Sequence, residues 1–424
     1  MNSIKQAMRE KGCSPEQIRR FCSRVEQFLN DSAGEIPESE IQPVRDIPKL
    51  KELETNPEIL GRTAVIKLNG GLGTSMGLQG PKGLLEVKNG KDFYAILLEQ
   101  RRYFRKVHDF QPPLIFMNSF NTEEETRARL TALGFEQDLP WSFLQSQVPK
   151  ITEEGELPEG PEEYAWCPPG HGDIYASLLD GGLLEKLRAE GIRYLFVSNI
   201  DNLGAVLDSR APAYMEREGL SFLMEVTRRG ENDRKGGHLA RSKSGGLLLR
   251  EVAQCPKSDL EEFQNIEKHR FFNTNNLWIA LDDIDESWTE LPLIVNRKPL
   301  IPQDKSSQQV VQLEQAMGAA IGIVGRAGAV EVERDRFLPV KTTNELLLLR
   351  SDLYRLTEAG NLEARTERPP KVSLDPKYFK MIQDYNKRVE SVPSLMNCES
   401  LTVEGPVTLH QGLDLEGHAH LRAD

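Results

Sequence analysis

The stretch "KLNGGLGTSMGLQGPKGLLEV" (67–87) sets six glycines, one proline and two lysines between short apolar runs. Glycine lets backbone N–H groups approach a bound group with no Cβ in the way, and Lys82 adds a compact positive charge beside them. The β-like run "TAVIKL" (63–68) leads straight into Gly70, Gly71 and Gly73, so the pattern suits a cradle for a nucleotide's phosphates. It is neither of two familiar phosphate loops. Lys82 lies between Pro81 and Gly83, which breaks GxxxxGK[ST]. Gly71-Leu72-Gly73 is followed by Thr74, Ser75 and Met76 before Gly77, which breaks GxGxxG. A P-loop kinase and a nicotinamide-dependent dehydrogenase are therefore not supported.

Two further clusters carry polar chemistry. "PPGHGD" (168–173) places Gly170, His171 and Gly172 at the mouth of a helix expected from about Asp173, a position that favours anions. "SNIDN" (198–202) follows the apolar run "RYLFV", which puts Asn199 and Asp201 at the carboxyl end of a strand, where open α/β sheets bind ligands.

The elements that position these residues can be read from periodicity. Residues 14–30 open with Ser14, Pro15 and Gln17, a capping box ahead of an amphipathic helix. The Pro- and Glu-rich stretch 35–48 reads as a linker. From about residue 60, β-like runs alternate with helical segments, which predicts an α/β sheet covered by helices. Strands are expected at 63–68, 113–119 and 193–198, with later ones in "LSFLMEV", "GGLLLREVAQ" and "NNLWIAL". Helices are expected at 92–107, from a Thr122–Glu125 capping box to Gly134, around 308–321, and after "TTNE" (342–345).

The last residues follow another rule. Leu401, Val407, Leu413 and Ala419 are six apart, as are Val403, Leu409, Leu415 and Leu421, the spacing of a β-helix with inward-pointing aliphatics. Four such hexads make little more than one coil, so an open edge is expected, left by a shortened chain or covered by a partner, with a homo-oligomer through that edge as one outcome. The division expected is 1–50 helical segment and linker, 51–365 catalytic domain, and 366–424 C-terminal segment.

Composition narrows the classes. The 424 residues carry 53 Lys plus Arg against 65 Asp plus Glu, a net charge of −12, so the overall field repels nucleic acid, and an anionic ligand must be held locally. Five scattered cysteines without CxxC spacing read as buried apolar residues in a reducing compartment. No apolar run is long enough for a membrane span and the N-terminus has no leader-like core, so a cytoplasmic protein is expected.

The glycine loop resembles the signature of the eukaryotic-like UTP-glucose-1-phosphate uridylyltransferases, or UDP-glucose pyrophosphorylases. "LNGGLGTSMG", "MNSFNT", "PPGHGD", "DNLGA", "MEVT", "KGG", "FNTNNLW", "QLE", "GAAIG" and "RFLPVKTT" stand in that family's order over roughly residues 60–350. The resemblance implies a Rossmann-like, GT-A-like nucleotidyltransferase domain, a helical N-terminal segment and a C-terminal left-handed β-helix, short or truncated here. It implies a reaction of UTP with glucose 1-phosphate that gives UDP-glucose and pyrophosphate, with Mg2+.

It also implies roles. Leu68, Asn69, Gly70 and Gly71 match the nucleotide-binding segment, and Gly70 and Gly71 also face the sugar side. Lys82 and Lys341 match catalytic lysines that bind the UTP phosphates, Gln145 the uracil-reading glutamine, and Gly170 a UTP contact. His171, Asn199 and Asn275 match sugar-side contacts. Asp201 matches the Mg2+ carboxylate and contacts both substrates, with Lys82 on the phosphate side of the metal. A sugar phosphate is already largely dianionic at neutral pH, its second pKa being about 6, so its oxygen needs no general base. The sequence departs from the common pattern at Gly83, Leu144 and Ile200, where serine, asparagine and serine are usual. "GPKG" is closer to the UDP-N-acetylhexosamine pyrophosphorylases, which are the second reading. A catalytically silent nucleotide-sugar binder is the third.

Overall fold

The computed structural model describes residues 1–30 and 34–423. The strand Thr63–Asn69 lies near the middle of a ten-stranded mixed sheet, parallel to Leu114–Asn118 on one side and Tyr194–Asn199 on the other. Ser142–Leu144 extends the parallel half. Beyond Tyr194–Asn199 the sheet turns antiparallel through Phe271–Ala280, which also pairs with Phe222–Arg228. The register puts Leu68 opposite Asn199 and Asn69 opposite Asn118, so the polar ends of three strands finish level with one another. This α/β architecture agrees with the expected class.

Both sheet faces are buried. Val65, Phe116 and Phe196 pack against the helix Phe93–His108, whose N-terminus is capped by the Asp92 carboxylate accepting from Ala95 N at 2.8 Å. Ala64, Ile66, Ile115 and Val197 pack on the opposite face with residues of Ile174–Asp180 and Leu183–Ala189. Lys67 points into the first face, where its ammonium donates to Ser198 Oγ at 2.7 Å and Ala205 O at 3.1 Å, and burial pushes its pKa down to about 7.

The helix Pro15–Leu29 forms as expected, with the reciprocal Ser14–Gln17 capping box in place. A preceding helix, Asn2–Glu10, packs Ile4 and Met8 against it in a separate apolar cluster. Several expectations are corrected. Residues 308–321 are not helical: Gln309–Gln315 is a strand paired with Leu293–Pro299, followed by a 3-10 turn, Met317–Gly322. Val310, Val311 and Leu313 mimic helical spacing, but the partner strand satisfies their backbone instead. The helix Glu123–Ala132 exists without its capping box, because Thr122 Oγ1 accepts from Ser119 N. The stretch 35–48 is no slack linker. Ile41–Pro43 pairs with His238–Ser242, and the Glu38 carboxylate accepts from the fully buried Arg250 at 2.6 Å and contacts His269. A buried guanidinium left without that carboxylate would be costly.

At the C-terminus, Lys371–Leu374, Cys398–Glu404 and Gly417–Arg422 form a parallel three-stranded sheet. Leu401 faces Ala419 and Val403 faces Leu421, an offset of eighteen residues, or three hexads. Leu401, Val403, Leu409 and Leu415 are buried and join the same apolar cluster as Phe93 and Phe116. All five cysteines are free thiols, four of them buried. Among the described residues, no helix is long and apolar enough to cross a membrane.

Candidate active site

The carboxyl ends of the central strands open into two adjoining cavities. The first, about 330 Å³, is walled by Leu68, Gly70, Gly71, Lys82, Gln145, Gly170, His171, Asn199 and Asp201. The second, about 340 Å³, takes in Asn275 and Lys341 and shares His171 and Asn199 with the first. Of the expected site residues, only Asn69 lines neither cavity. Its side chain turns inward and donates to Asn118 Oδ1 at 2.7 Å and Thr126 Oγ1 at 2.9 Å, so what it can offer the cleft is backbone.

The loop's glycines answer to specific neighbours. A Cβ on Gly70 would collide with the Gln145 amide, one on Gly80 with the Glu125 carboxylate, and one on Gly83 with the ring of Tyr94. Tyr94 is locked by hydrogen bonds to Asn69 and Thr126, so it cannot yield, and the usual serine at 83 has no room.

Lys82 sits in a short 3-10 turn and meets Asp201, Nζ to Oδ2, at 2.5 Å, with both side chains mostly buried. Asp201 Oδ1 is buried and has no hydrogen-bond partner. A buried carboxylate oxygen so left is costly unless something cationic or protic meets it. This oxygen fits a divalent cation that completes its shell on ligand phosphates and water, the usual magnesium arrangement. Among the described residues, no group of three or more His, Cys, Asp or Glu is placed to hold a metal unaided.

A buried network brings the second lysine to the same place. Val340 N donates to Asp201 O at 3.2 Å, and Leu338 N to Asn202 Oδ1 at 2.9 Å. Asn202 also bonds Asn276 and Arg336 O, while Arg336 and Asn276 converge on the fully buried Glu225. Lys341 then precedes the helix Thr343–Arg350, started by the Thr342–Glu345 capping box. Across the second cavity lies Glu251, whose carboxyl is pushed up by burial and pulled back by Lys341.

His171 is held between Gly170 and Gly172, which press against the backbone of Gln315. Its Nδ1 accepts from Met317 N at 3.0 Å, which leaves the ring proton on Nε2. Burial lowers its pKa to about 4, so the ring is a neutral hydrogen-bond donor at physiological pH. Asn275 sits in a bulge: Glu225 pairs with Asn276 and Val226 with Asn273, which throws Thr274 and Asn275 out of register. Asn275 has φ 60°, a conformation asparagine tolerates better than most residues.

Reading from the sequence missed Glu251, Gln312 and Glu314, all of which line the cavities. The last two were hidden by the helical reading of 308–321. With strand alternation, Gln312 and Glu314 share one face while Val311 and Leu313 pack into the N-terminal cluster.

Comparisons with known proteins agree with this geometry. The family model described as UTP--glucose-1-phosphate uridylyltransferase matches residues 18–416. A protein of that name from Saccharomyces cerevisiae is 41% identical over 387 residues, 88% of this chain and 77% of the relative. UTP--glucose-1-phosphate uridylyltransferase 2 from Dictyostelium discoideum is 37% identical over 412 residues, 94% of this chain and 80% of its own. A crystal structure of a UDP-glucose pyrophosphorylase mutant from Leishmania major in complex with UDP-glucose superposes with a TM-score of 0.93 at 43% identity, covering 99% of this chain and 94% of that one. The Trypanosoma brucei UDP-glucose phosphorylase gives 0.89 at 41%, covering 100% and 99%. The chain thus belongs to the UTP--glucose-1-phosphate uridylyltransferase family.

Proposed function

We propose that the protein transfers the uridylyl group of UTP to glucose 1-phosphate, releasing pyrophosphate. The observation that carries this reading is the meeting of seven separate chain segments in the first cavity, with Lys82 and Asp201 in contact there and Lys341 in the cavity beside it. Gly70 and Gly71 offer bare backbone to the nucleotide. Gln145, beside Gly70, presents an amide whose donor and acceptor match O4 and N3–H of uracil. His171 Nε2–H and Asn275 face the sugar side.

The chemical difficulty is the approach of one anion to another. The sugar phosphate oxygen attacks the α-phosphorus, and the bond to the bridging oxygen of pyrophosphate breaks in line. Lys82 draws charge from the departing pyrophosphate, and Lys341 screens the incoming phosphate. Asp201 would hold Mg2+, which when bound supplies further charge neutralisation on the phosphate oxygens. The Lys82–Asp201 pair keeps both groups desolvated and aimed at the same point before substrate arrives.

Two broader readings accompany this one. The eighteen-residue offset of the C-terminal strands supports a short left-handed β-helix in 366–424, beside a catalytic part at 51–365 and a helical segment at 1–50. The test of function is pyrophosphate release from UTP and Mg2+ with a panel of sugar 1-phosphates, with Lys341→Ala as control. Release with glucose 1-phosphate that falls by about 10-fold to 10²-fold in the variant is the expected result. Release with N-acetylglucosamine 1-phosphate alone would reassign the sugar, and UTP binding without release would leave a silent binder.

A further inference from the structure

Asn202 lines neither cavity, yet it stands directly after Asp201 and is 1% exposed. Its side-chain amide has two donors and two acceptor positions, and all four are taken. Oδ1 accepts from Gly204 N at 3.2 Å, which closes a local turn, and from Leu338 N at 2.9 Å. Nδ2 donates to Arg336 O at 3.0 Å and to Asn276 Oδ1 at 3.1 Å. Three of the four bonds therefore leave the turn: two reach the segment that runs into Lys341, and one reaches the strand beside the Asn275 bulge. The main chain follows the same path. Asn202 pairs with Pro339 in an isolated antiparallel bridge, Val340 N donates to Asp201 O at 3.2 Å, and a Cβ on Gly204 would strike Asp335 O. Both far segments are pinned in turn, since Asn276 and Arg336 donate to the fully buried Glu225 at 3.0 Å and 2.6 Å.

We propose that Asn202 is a positioning residue that keeps the two cavities in register. It joins the loop carrying Asp201 to the loop carrying Lys341 and to the bulge carrying Asn275, and so sets the distance between the groups that hold the nucleotide and those that meet the sugar phosphate; this rests on the proposed reading of the cavities as UTP and sugar sites. The nucleotide's other contacts stand on separate elements. Lys82 sits in its own 3-10 turn, and the Gln145 backbone N–H bonds Asn118 O at 2.9 Å. Those contacts survive the loss of Asn202, whereas the spacing of one cavity against the other does not. In-line attack is sensitive to that spacing: a misplacement of about 1 Å, caused far from the reacting atoms, can cost about 10²-fold. A ligand that spans both cavities meets a penalty of the same origin, while one confined to the first does not.

The test uses the full chain with Asn202→Ala, Asn202→Ser and Lys341→Ala. Serine at 202 can still accept from Gly204 N, as hydroxyl side chains do in such turns, but is too short to reach Leu338, Arg336 and Asn276 as well. A role confined to the local turn would be restored by serine; a positioning role is not. Both Asn202 variants are therefore expected to lower kcat/KM for glucose 1-phosphate by about 10²-fold, with the KM for UTP within about threefold of wild type. Asn202→Ser carries the test if Asn202→Ala melts early. Adding Lys341→Ala to Asn202→Ser should lower kcat/KM by no more than about threefold beyond the more damaged single variant, because the two residues act along one path, whereas independent effects multiply. In titration calorimetry, Asn202→Ser should weaken UDP-glucose about tenfold and UTP by no more than about threefold. Wild-type kinetics in Asn202→Ser, multiplied losses in the double variant, or equal weakening of the two ligands would overturn the proposal. The calorimetric contrast needs no turnover. A wild-type protein that binds both ligands without releasing pyrophosphate would remove the transferase assignment, while the contrast in Asn202→Ser would still be expected; one that binds neither would retire both.

Discussion

The two cavities share a wall but hold their charge differently. In the first cavity, Lys82 is locked to Asp201 at 2.5 Å, and the glycines around it are pressed against Gln145, Glu125 and Tyr94. In the second cavity, Lys341 is exposed on a loop and faces Glu251 across open space. One side is preorganised by contact, the other by the ends of elements: a bulge at Asn275, a capping box at Thr342 and a network rooted in Glu225. Preorganised charge acts without reorganisation at the moment of reaction, whereas exposed charge must be brought to bear by the substrate itself. On the substrate assignment proposed above, the chemistry is prepared in the first cavity and completed when the sugar phosphate arrives.

The strongest way to break this contrast is at the preformed pair. Lys82→Ala should lower kcat by about 10²-fold or more with little change in the KM for glucose 1-phosphate, as loss of a transition-state charge donor does. Steady-state pyrophosphate release at varied sugar phosphate checks it; a pure KM effect would show that Lys82 only binds. Lys341→Ala should also reduce kcat/KM, by about 10-fold to 10²-fold, but with a larger share in the KM for the sugar phosphate. Equal effects from the two lysines on both parameters would erase the distinction drawn here.

Smaller effects sharpen it. Gly83→Ser drives a side chain into Tyr94 and should destabilise the protein by about 1–3 kcal/mol, seen as a lower denaturation midpoint. His171 gives a pH signature. Its folded pKa of about 4 lies below the usual 6.5, so in acid the unfolded state binds the extra proton. Its contribution to stability is complete above pH 6.5 and is lost as pH falls toward 4. His238 and His269 are shifted in the same direction. His171→Gln should therefore flatten part of the melting-temperature slope between pH 4 and 6.5, leaving the rest to the other two. An unaltered slope would mean that the ring is protonated as easily in the folded protein as outside it.

Much of the site was legible because its chemistry sits in short contiguous strings. Glycine beside a strand end, a lysine after a proline, and an aspartate at the end of "RYLFVSNID" each announce a local backbone geometry, and the structure gathers them in one cleft. Hexads in the last residues declared their inward face for the same reason: period is a local property. What failed was whatever needed a partner to decide. Val310, Val311 and Leu313 have an apolar spacing open to helix or strand, and only pairing with Leu293–Pro299 settled it, which is why Gln312 and Glu314 were missed. Glu38, read as part of a linker, is tied down by Arg250 and His269, more than two hundred residues away.

By itself, then, the sequence determined the α/β alternation, the glycine cradle and the identity of the charged groups, since these follow from backbone freedom, periodicity and side-chain chemistry. Tertiary structure alone decided that Lys82 rests on Asp201 and that the Glu225 network joins Asp201 to Lys341. Those are contacts between residues distant in the chain. Their existence depends on register and packing, which no local string encodes.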